Sequence, residues 1–267
     1  MLGLGGALGA FEDAIADYDQ LFELIVTSVP PPAMISRGSG VVFRYAEKSA
    51  EQAIVQKLAR YVSGLRAGLL LIQNGYTQES AVLHRTLDEF AEDIMFLGLA
   101  IAVGEQTDVH RVYLEAFYFE DIVLSEGKVC VAENRPHRVS RKQIRKAIDD
   151  SNVRLTQQTG NPVPSATSIV RIIGDLFSGF VHAGSQQIME MYGGRPSRFH
   201  LAGMADTPLI PAYVASFWNQ FYRGGQSFEM AAIAMKRPDV QRRARARMAL
   251  LEQAAGKNYG DRRDIAS

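Results

Sequence analysis

The 267-residue chain balances 29 lysines and arginines against 29 aspartates and glutamates, is 47% apolar, and holds one cysteine. That balance excludes a global field that would recruit nucleic acid, membrane or an acidic partner, so any such binding must be local. The lone Cys130 excludes an internal disulfide and lacks the CxxC or histidine spacing of a zinc site, so a reducing, cytoplasmic setting is expected.

The opening MLGLGGALGAF has no basic region before Glu12 and Asp13, so no secretory signal is expected. The longest apolar run, Ile94 to Val103, is about half of the ~20 residues a spanning helix requires, which predicts a soluble chain without membrane association.

Periodicity then gives helix after helix. Residues 11–29 form an amphipathic segment ended by Pro30, Pro31 and Pro32. The next, about 44–74, places Ile54, Leu58, Tyr61, Leu65, Gly68 and Ile72 on one stripe and stops at Gly75. A third begins at Thr77 as its cap, with Leu83, Leu87, Phe90, Ile94, Leu97 and Ile101 in a heptad-like seam. The short connection between these two predicts an antiparallel pair, drawn close at Gly64, Gly68 and Gly98.

A fourth helix is expected over 107–125, then a surface connection over 127–139 with room for a short hairpin near Lys128 to Ala132. Residues 140–158 resume a polar amphipathic helix, and a loop follows through Pro162 and Pro164. Another helix starts at Ser165 or Thr167 and extends to Tyr192. The aromatic-rich stretch 208–236 is expected to bend at Gly224-Gly225, and its Tyr213, Phe217, Trp218, Phe221 and Tyr222 suit a core or a dimer interface. A last helix covers 239–255. The fold class is all-α, a single multi-helix bundle over 1–267 with a central antiparallel helix pair. An N-terminal helix and Pro-rich connection take 1–43, the core bundle 44–236, and a basic helix and tail 237–267.

Within 170–184 the apolar residues Ile172, Ile173, Leu176, Phe177, Phe180 and Val181 oppose a polar stripe of Arg171, Asp175, Ser178 and His182. Ser178 and His182 lie one turn apart, and a neutral imidazole is a competent base. A helical face seldom supplies the strained turn of a serine nucleophile, so an interhelical hydrogen-bonded network is the plainer reading. Arg85 and Glu89, at i and i+4, face away from the seam of the third helix and make the expected partner of His182.

Other candidates are weaker. Asp88, Glu89, Glu92 and Asp93 pair at i, i+4 but lack the Glu-x-x-His of di-iron bundles, so they predict a solvated acidic face; no metal or cofactor is expected. Arg195 is followed by His200 at the Arg-x4-His spacing of many helical ribonucleases, though glycines and Pro196 put the motif in a loop. Arg195, Arg198 and His200 are candidates for an anion-binding flap. Arg242, Arg243, Arg245 and Arg247 make the best local basic patch.

The segments LHRTLDEF (83–90) and LFSGFVHAG (176–184) resemble a family of bacterial all-helical proteins designated a domain of unknown function. That family pairs an Arg-x-x-x-Glu helix with a Ser-x-x-x-His helix, matching Arg85, Glu89, Ser178 and His182 over about residues 45–200. It is distantly similar to the higher-eukaryote-and-prokaryote nucleotide-binding (HEPN) helical proteins, a group rich in ribonucleases and defence components. The resemblance implies the architecture and a polar cluster, and no particular reaction.

Together these features predict a cytoplasmic homodimer, joined through an apolar helical face, whose polar interhelical pocket takes a nucleotide, RNA or other small anion. Arg85 and Arg171 would hold charge, Glu89 and Asp175 would orient them, and His182 would move a proton. The enzymatic alternative is a divergent metal-independent ribonuclease using His182 or His200 as base. The third is a scaffold for protein partners in which the polar cluster only fixes helix register.

Overall fold

A computed structural model describes residues 4–37, 40–125, 128–159 and 178–257. In chain order these form α1 (Leu4–Val26), β1 (Ala33–Arg37), β2 (Gly40–Arg44), α2 (Ala50–Gln73), α3 (Thr77–Val103), α4 (Asp108–Phe117), β3 (Ile122–Ser125) and β4 (Lys128–Val131). There follow α5 (Arg141–Thr159), α6 (Ser185–Met189), β5 (Tyr192–Gly193), β6 (Arg198–Phe199), α7 (Ile210–Ala234) and α8 (Pro238–Ala255). The strands make three separate two-stranded antiparallel hairpins, so the fold is a predominantly all-α bundle. Among the described residues no helix is long and apolar enough to cross a membrane.

Local signals explain where the helices start and stop. Ser49 caps α2: its Oγ accepts from the Gln52 amide at 3.2 Å, while Gln52 Oε1 accepts from the Ser49 amide at 3.2 Å. The chain turns at Gly75 in the left-handed region (φ +74°), and α3 begins directly. Tyr76 precedes it as the cap without a side-chain bond; Thr77, expected as the cap, is the first helical residue instead.

α3 is the central element. Its seam residues Leu87, Ile94 and Leu97 are buried as the heptad reading required, but so are Ala81, His84, Ala91, Phe96 and Leu99 on its other sides. α2 packs along it antiparallel, with Gly64 opposite Leu87 and Leu83. Gly68 meets Leu83 of α3 as well but lies tightest against Phe217 of α7, and Gly98 faces Met230 of α7.

The aromatic stretch is core. Phe11 of α1 stacks on Phe221 (centroids 4.6 Å, 4° between planes) and meets Phe217 and Trp218 edge-on, while Tyr18 stacks on Phe221 and Phe228. Such pairs contribute about 0.5–1.5 kcal/mol each beyond the area they bury. The Tyr18 hydroxyl donates to the Phe221 carbonyl, and Tyr61 donates to the Gln220 carbonyl at 2.8 Å. α7 runs through Gly224-Gly225 without interruption. Those glycines admit Tyr18, Tyr61 and Met248 against the helix rather than bending it.

Several connections depart from the helical reading. Residues 33–37 and 40–44 pair as β1 and β2, so α2 starts at Ala50 and not near Arg44. α4 ends at Phe117, and the hairpin expected near Lys128–Ala132 is broader, pairing Ile122 with Val131. The helix expected to reach Tyr192 stops at His182. Gly184 donates to the Gly179 carbonyl (2.8 Å) and Ala183 to that of Phe180 (3.3 Å), with Ala183 left-handed at φ +51°. That is the Schellman pattern, formed here with alanine where glycine is usual.

Candidate functional site

Arg85 and Glu89 occupy an outward stripe of α3, as their spacing required. Arg85 Nη2 lies 3.0 Å from Glu89 Oε1, with side chains 22% and 37% exposed, so the pair is partly covered. Gln78 lies two turns earlier on the same stripe, and its amide donates to Glu190 Oε2 at 3.3 Å. Tyr213 of α7 donates to the same oxygen at 2.6 Å, and Phe180 meets the Tyr213 ring edge-on. Glu190 and Phe180 therefore fasten the 178–190 segment over the starts of α3 and α7.

Ser178 and His182 are one helical turn apart, joined by the backbone bond from the His182 amide to the Ser178 carbonyl (3.1 Å). His182 is exposed at the helix end. Among the described residues no hydrogen bond or ion pair joins it to Arg85 or Glu89. Arg171 and Asp175 lie outside the described residues.

Arg195, Arg198 and His200 fall on the β5–β6 hairpin, where Tyr192 pairs with Phe199 and Gly193 with Arg198. The Arg-x4-His spacing thus spans a hairpin and does not line one helical face. His200 Nε2 sits 3.1 Å from the Gly193 carbonyl. A carbonyl only accepts, so Nε2 is the donor in this contact. Arg195 and Arg198 are exposed, with no carboxylate partner among the described residues.

The hairpin's position is set by backbone. Met204 donates to the Gly75 carbonyl at 2.8 Å, and Gly203 (φ +87°) lies against the Asn74 carbonyl. A cavity of about 10 Å³ remains between Gly75–Glu79 and Met191–Met204, lined by Thr77, Gln78 and His200. It has room for one water. That cavity is far smaller than the roughly 300–1,000 Å³ a nucleotide-sized ligand needs.

The expectation of a solvated acidic face on α3 is overturned. Asp88, Glu92 and Asp93 are 2%, 4% and 1% exposed, and each carries cations from elements remote in sequence. Asp93 is held by Lys57 Nζ of α2 (2.8 Å) and Arg141 Nη1 of α5 (2.7 Å). Glu92 is held by Arg145 Nε (2.6 Å) and Arg141 Nη1 (3.2 Å), and Asp88 by Arg223 Nη1 (2.7 Å) and Gln220 Nε2 (2.8 Å) of α7.

Titration follows from this geometry. Burial raises the Asp88 carboxyl although Arg223 and Gln220 oppose it. Burial also works against the Arg141 cation, yet Asp93, Glu89 and Glu92 outweigh it and hold that guanidinium more firmly charged. Burial, and then the Asp93 charge, push the Tyr113 hydroxyl far up. His84, fully buried and stacked on Phe217 at 4.9 Å with Ser216 Oγ 3.4 Å from its Nδ1, is pushed down to about 3 by burial. His84, Arg141 and Tyr113 are all moved away from the neutral range, which suits a structural clamp rather than proton transfer. A sequence signal existed: His84, Asp88 and Glu92 repeat at i, i+4, i+8, and Arg141 and Arg145 repeat at i, i+4.

Two of the four arginines in the terminal basic patch, Arg245 and Arg247, are neutralised by carboxylates, while Arg243 bonds only a neutral amide. Arg245 pairs with Glu229 (2.6 Å), Arg247 with Asp17, and Arg243 bonds Gln20 (2.7 Å), leaving Arg242 exposed. Compared with known proteins, the chain matches no family model, no curated protein and no solved structure.

Proposed function

We propose that this chain is a helical binding module for a phosphate-bearing ligand, a nucleotide or RNA, held on the surface formed by the β5–β6 hairpin and the outward stripe of α3. The supporting observation is one of charge compensation. Most described arginines are ion-paired within the bundle, whereas Arg195 and Arg198 stand exposed on one hairpin without a carboxylate. Arginine forks suit phosphate oxygens, and exposed guanidiniums without internal partners are the ones free to bind them. The His200 ring and His182 supply further polar contacts in this reading. Arg85, oriented by Glu89, keeps donors that the single 3.0 Å contact does not use. Arg171 and Asp175 join the site on sequence grounds alone.

The test is fluorescence anisotropy of a labelled single-stranded RNA and of a labelled nucleotide across a salt series, with RNA integrity run on a gel from the same samples. Each phosphate contact on a single strand contributes about 0.7 to the slope of log affinity against log salt. Arg195→Ala with Arg198→Ala should therefore weaken binding and flatten that slope by roughly 1.4. Equal affinity and slope in wild type and double variant, or no binding by wild type at low salt, would refute the proposal. RNA cleavage lost on His182→Ala would replace it with the ribonuclease reading.

A further inference from the structure

The β1–β2 hairpin has outer edges that meet no third strand among the described residues. Arg37 pairs with Gly40 at its closed end. A hairpin closed by two residues ends in a hydrogen-bonded pair and alternates from there. Val41 and Phe43 then direct their amides and carbonyls away from β1, along the outer edge of β2. The Arg44 Nη1 bond to the Phe43 carbonyl (2.8 Å) agrees with that direction. One face of the hairpin carries Met34, Val41 and Phe43, which are 64%, 59% and 64% exposed. On the other face Arg37 and Arg44 both reach Glu120 at 2.6 Å.

We propose that β2 is a self-association edge: two copies of this chain pair β2 to β2, antiparallel, about a two-fold axis at Val42. In that register Val41 of one copy lies opposite Phe43 of the other, and each such pair exchanges both of its backbone hydrogen bonds, the Phe43 carbonyl accepting on the lone pair that Arg44 Nη1 leaves open. Their side chains share the exposed face, where β-branched and aromatic cross-strand partners are favourable, and Met34 of each copy flanks them. Arg44 falls opposite Gly40, with its charge already held by Glu120 of its own chain, so no like charges meet. Pairing through β1 about Ile35 would set Met34 against Ser36, a poorer match, which selects β2. The two-fold also closes the contact, giving a dimer rather than a fibre. One strand pair and one small apolar face fall in the class below about 1,200 Å² of buried surface, so the dimer is weak and concentration-dependent. This surface is separate from the phosphate-binding reading and does not depend on it.

The test replaces Cys130 with Ser and introduces Val42→Cys. The two-fold sets the new cysteines in a non-hydrogen-bonded pair with Cα atoms about 4.5 Å apart, inside the disulfide range. Mild oxidation should yield a covalent dimer at least about tenfold faster than Leu250→Cys, an exposed control, because the β2 pair is pre-aligned. Sedimentation of the protein without added cysteines should show a concentration-dependent dimer. Adding Phe43→Lys should weaken association and slow cross-linking by at least about tenfold, with the helical circular dichroism unchanged. Four outcomes overturn the proposal: a protein still monomeric at about 1 mM, where a contact of only about −4 kcal/mol would already be half-formed; cross-linking no faster than the control; cross-linking through Ile35→Cys instead; or a dimer indifferent to Phe43→Lys.

Discussion

Lowering the pH from 8 to 5 should destabilise the fold through His84, and the size of the effect follows from its burial. An ordinary histidine titrates at 6.5, whereas His84 in the folded chain is pushed down to about 3. Between those values the unfolded chain binds a proton that the folded chain refuses, so stability is present above the unfolded value and is lost as pH falls toward the folded one. At pH 5 the loss relative to pH 8 is about 2 kcal/mol, and at pH 4 about 3 kcal/mol. The pH 5 figure is set mainly by the unfolded value, because pH 5 lies well above the folded one. His110, also lowered by burial, adds in the same direction, and Asp88, raised by burial, opposes. The contribution is isolated by difference: urea denaturation of wild type and His84→Gln at both pH values, comparing the gap between them. That gap should change by about 2 kcal/mol. A gap that stays constant within about 0.5 kcal/mol, or a His84 ring resonance titrating near the ordinary value, would refute the reasoning.

Further outcomes follow from other contacts. Asp93→Ala strands Lys57 without its buried counter-ion, leaves Arg141 only its longer contact to Glu92, and should cost about 3–5 kcal/mol by chemical denaturation. Removing Arg66 from its exposed pair with Asp19 should change stability by less than about 1 kcal/mol. Gly75→Ala combines a left-handed backbone with a methyl driven into the Met204–Ala205 backbone. It should cost more than the roughly 1–3 kcal/mol of backbone strain alone and speed proteolysis within 191–207. Gly104→Ala, left-handed at φ +72° but in open space, should show only strain of about 1–2 kcal/mol.

The helices were legible because their stripes are long: α2, α3, α5, α7 and α8 each repeat apolar residues over several turns. The β1–β2 hairpin was not, because five-residue strands carry too few alternations to outweigh a proline-rich neighbourhood, although Gly38-Ser39 between two short runs is a hairpin turn signature. Asp88, Glu92 and Asp93 were assigned to solvent because an acid on a helix is normally wet. Their burial depends on Lys57, Arg141, Arg145 and Arg223, which only the tertiary fold brings near. Gly224-Gly225 signalled a bend, but local sequence does not distinguish a glycine needed for backbone freedom from one needed for a neighbour's side chain. The Arg85–Glu89 pair was legible as an i, i+4 contact, and Ser178 and His182 as one turn. Where His182 points was not, since the Schellman stop uses Ala183, a residue that ordinarily continues a helix.

The aromatic seam between α1 and α7 also sets a timetable for biosynthesis. Tyr18 and the Phe221 carbonyl it bonds are 203 residues apart. A ribosome adding about 5–20 residues per second leaves roughly 10–40 s between the emergence of the two. α2 emerges early enough to shelter one flank of α1, through Arg66–Asp19 and Gln73–Glu12. Phe11 and Tyr18 must wait for α7, and Asp17 for Arg247 of α8. Throughout that interval the nascent chain displays an apolar helix whose permanent cover has yet to be made.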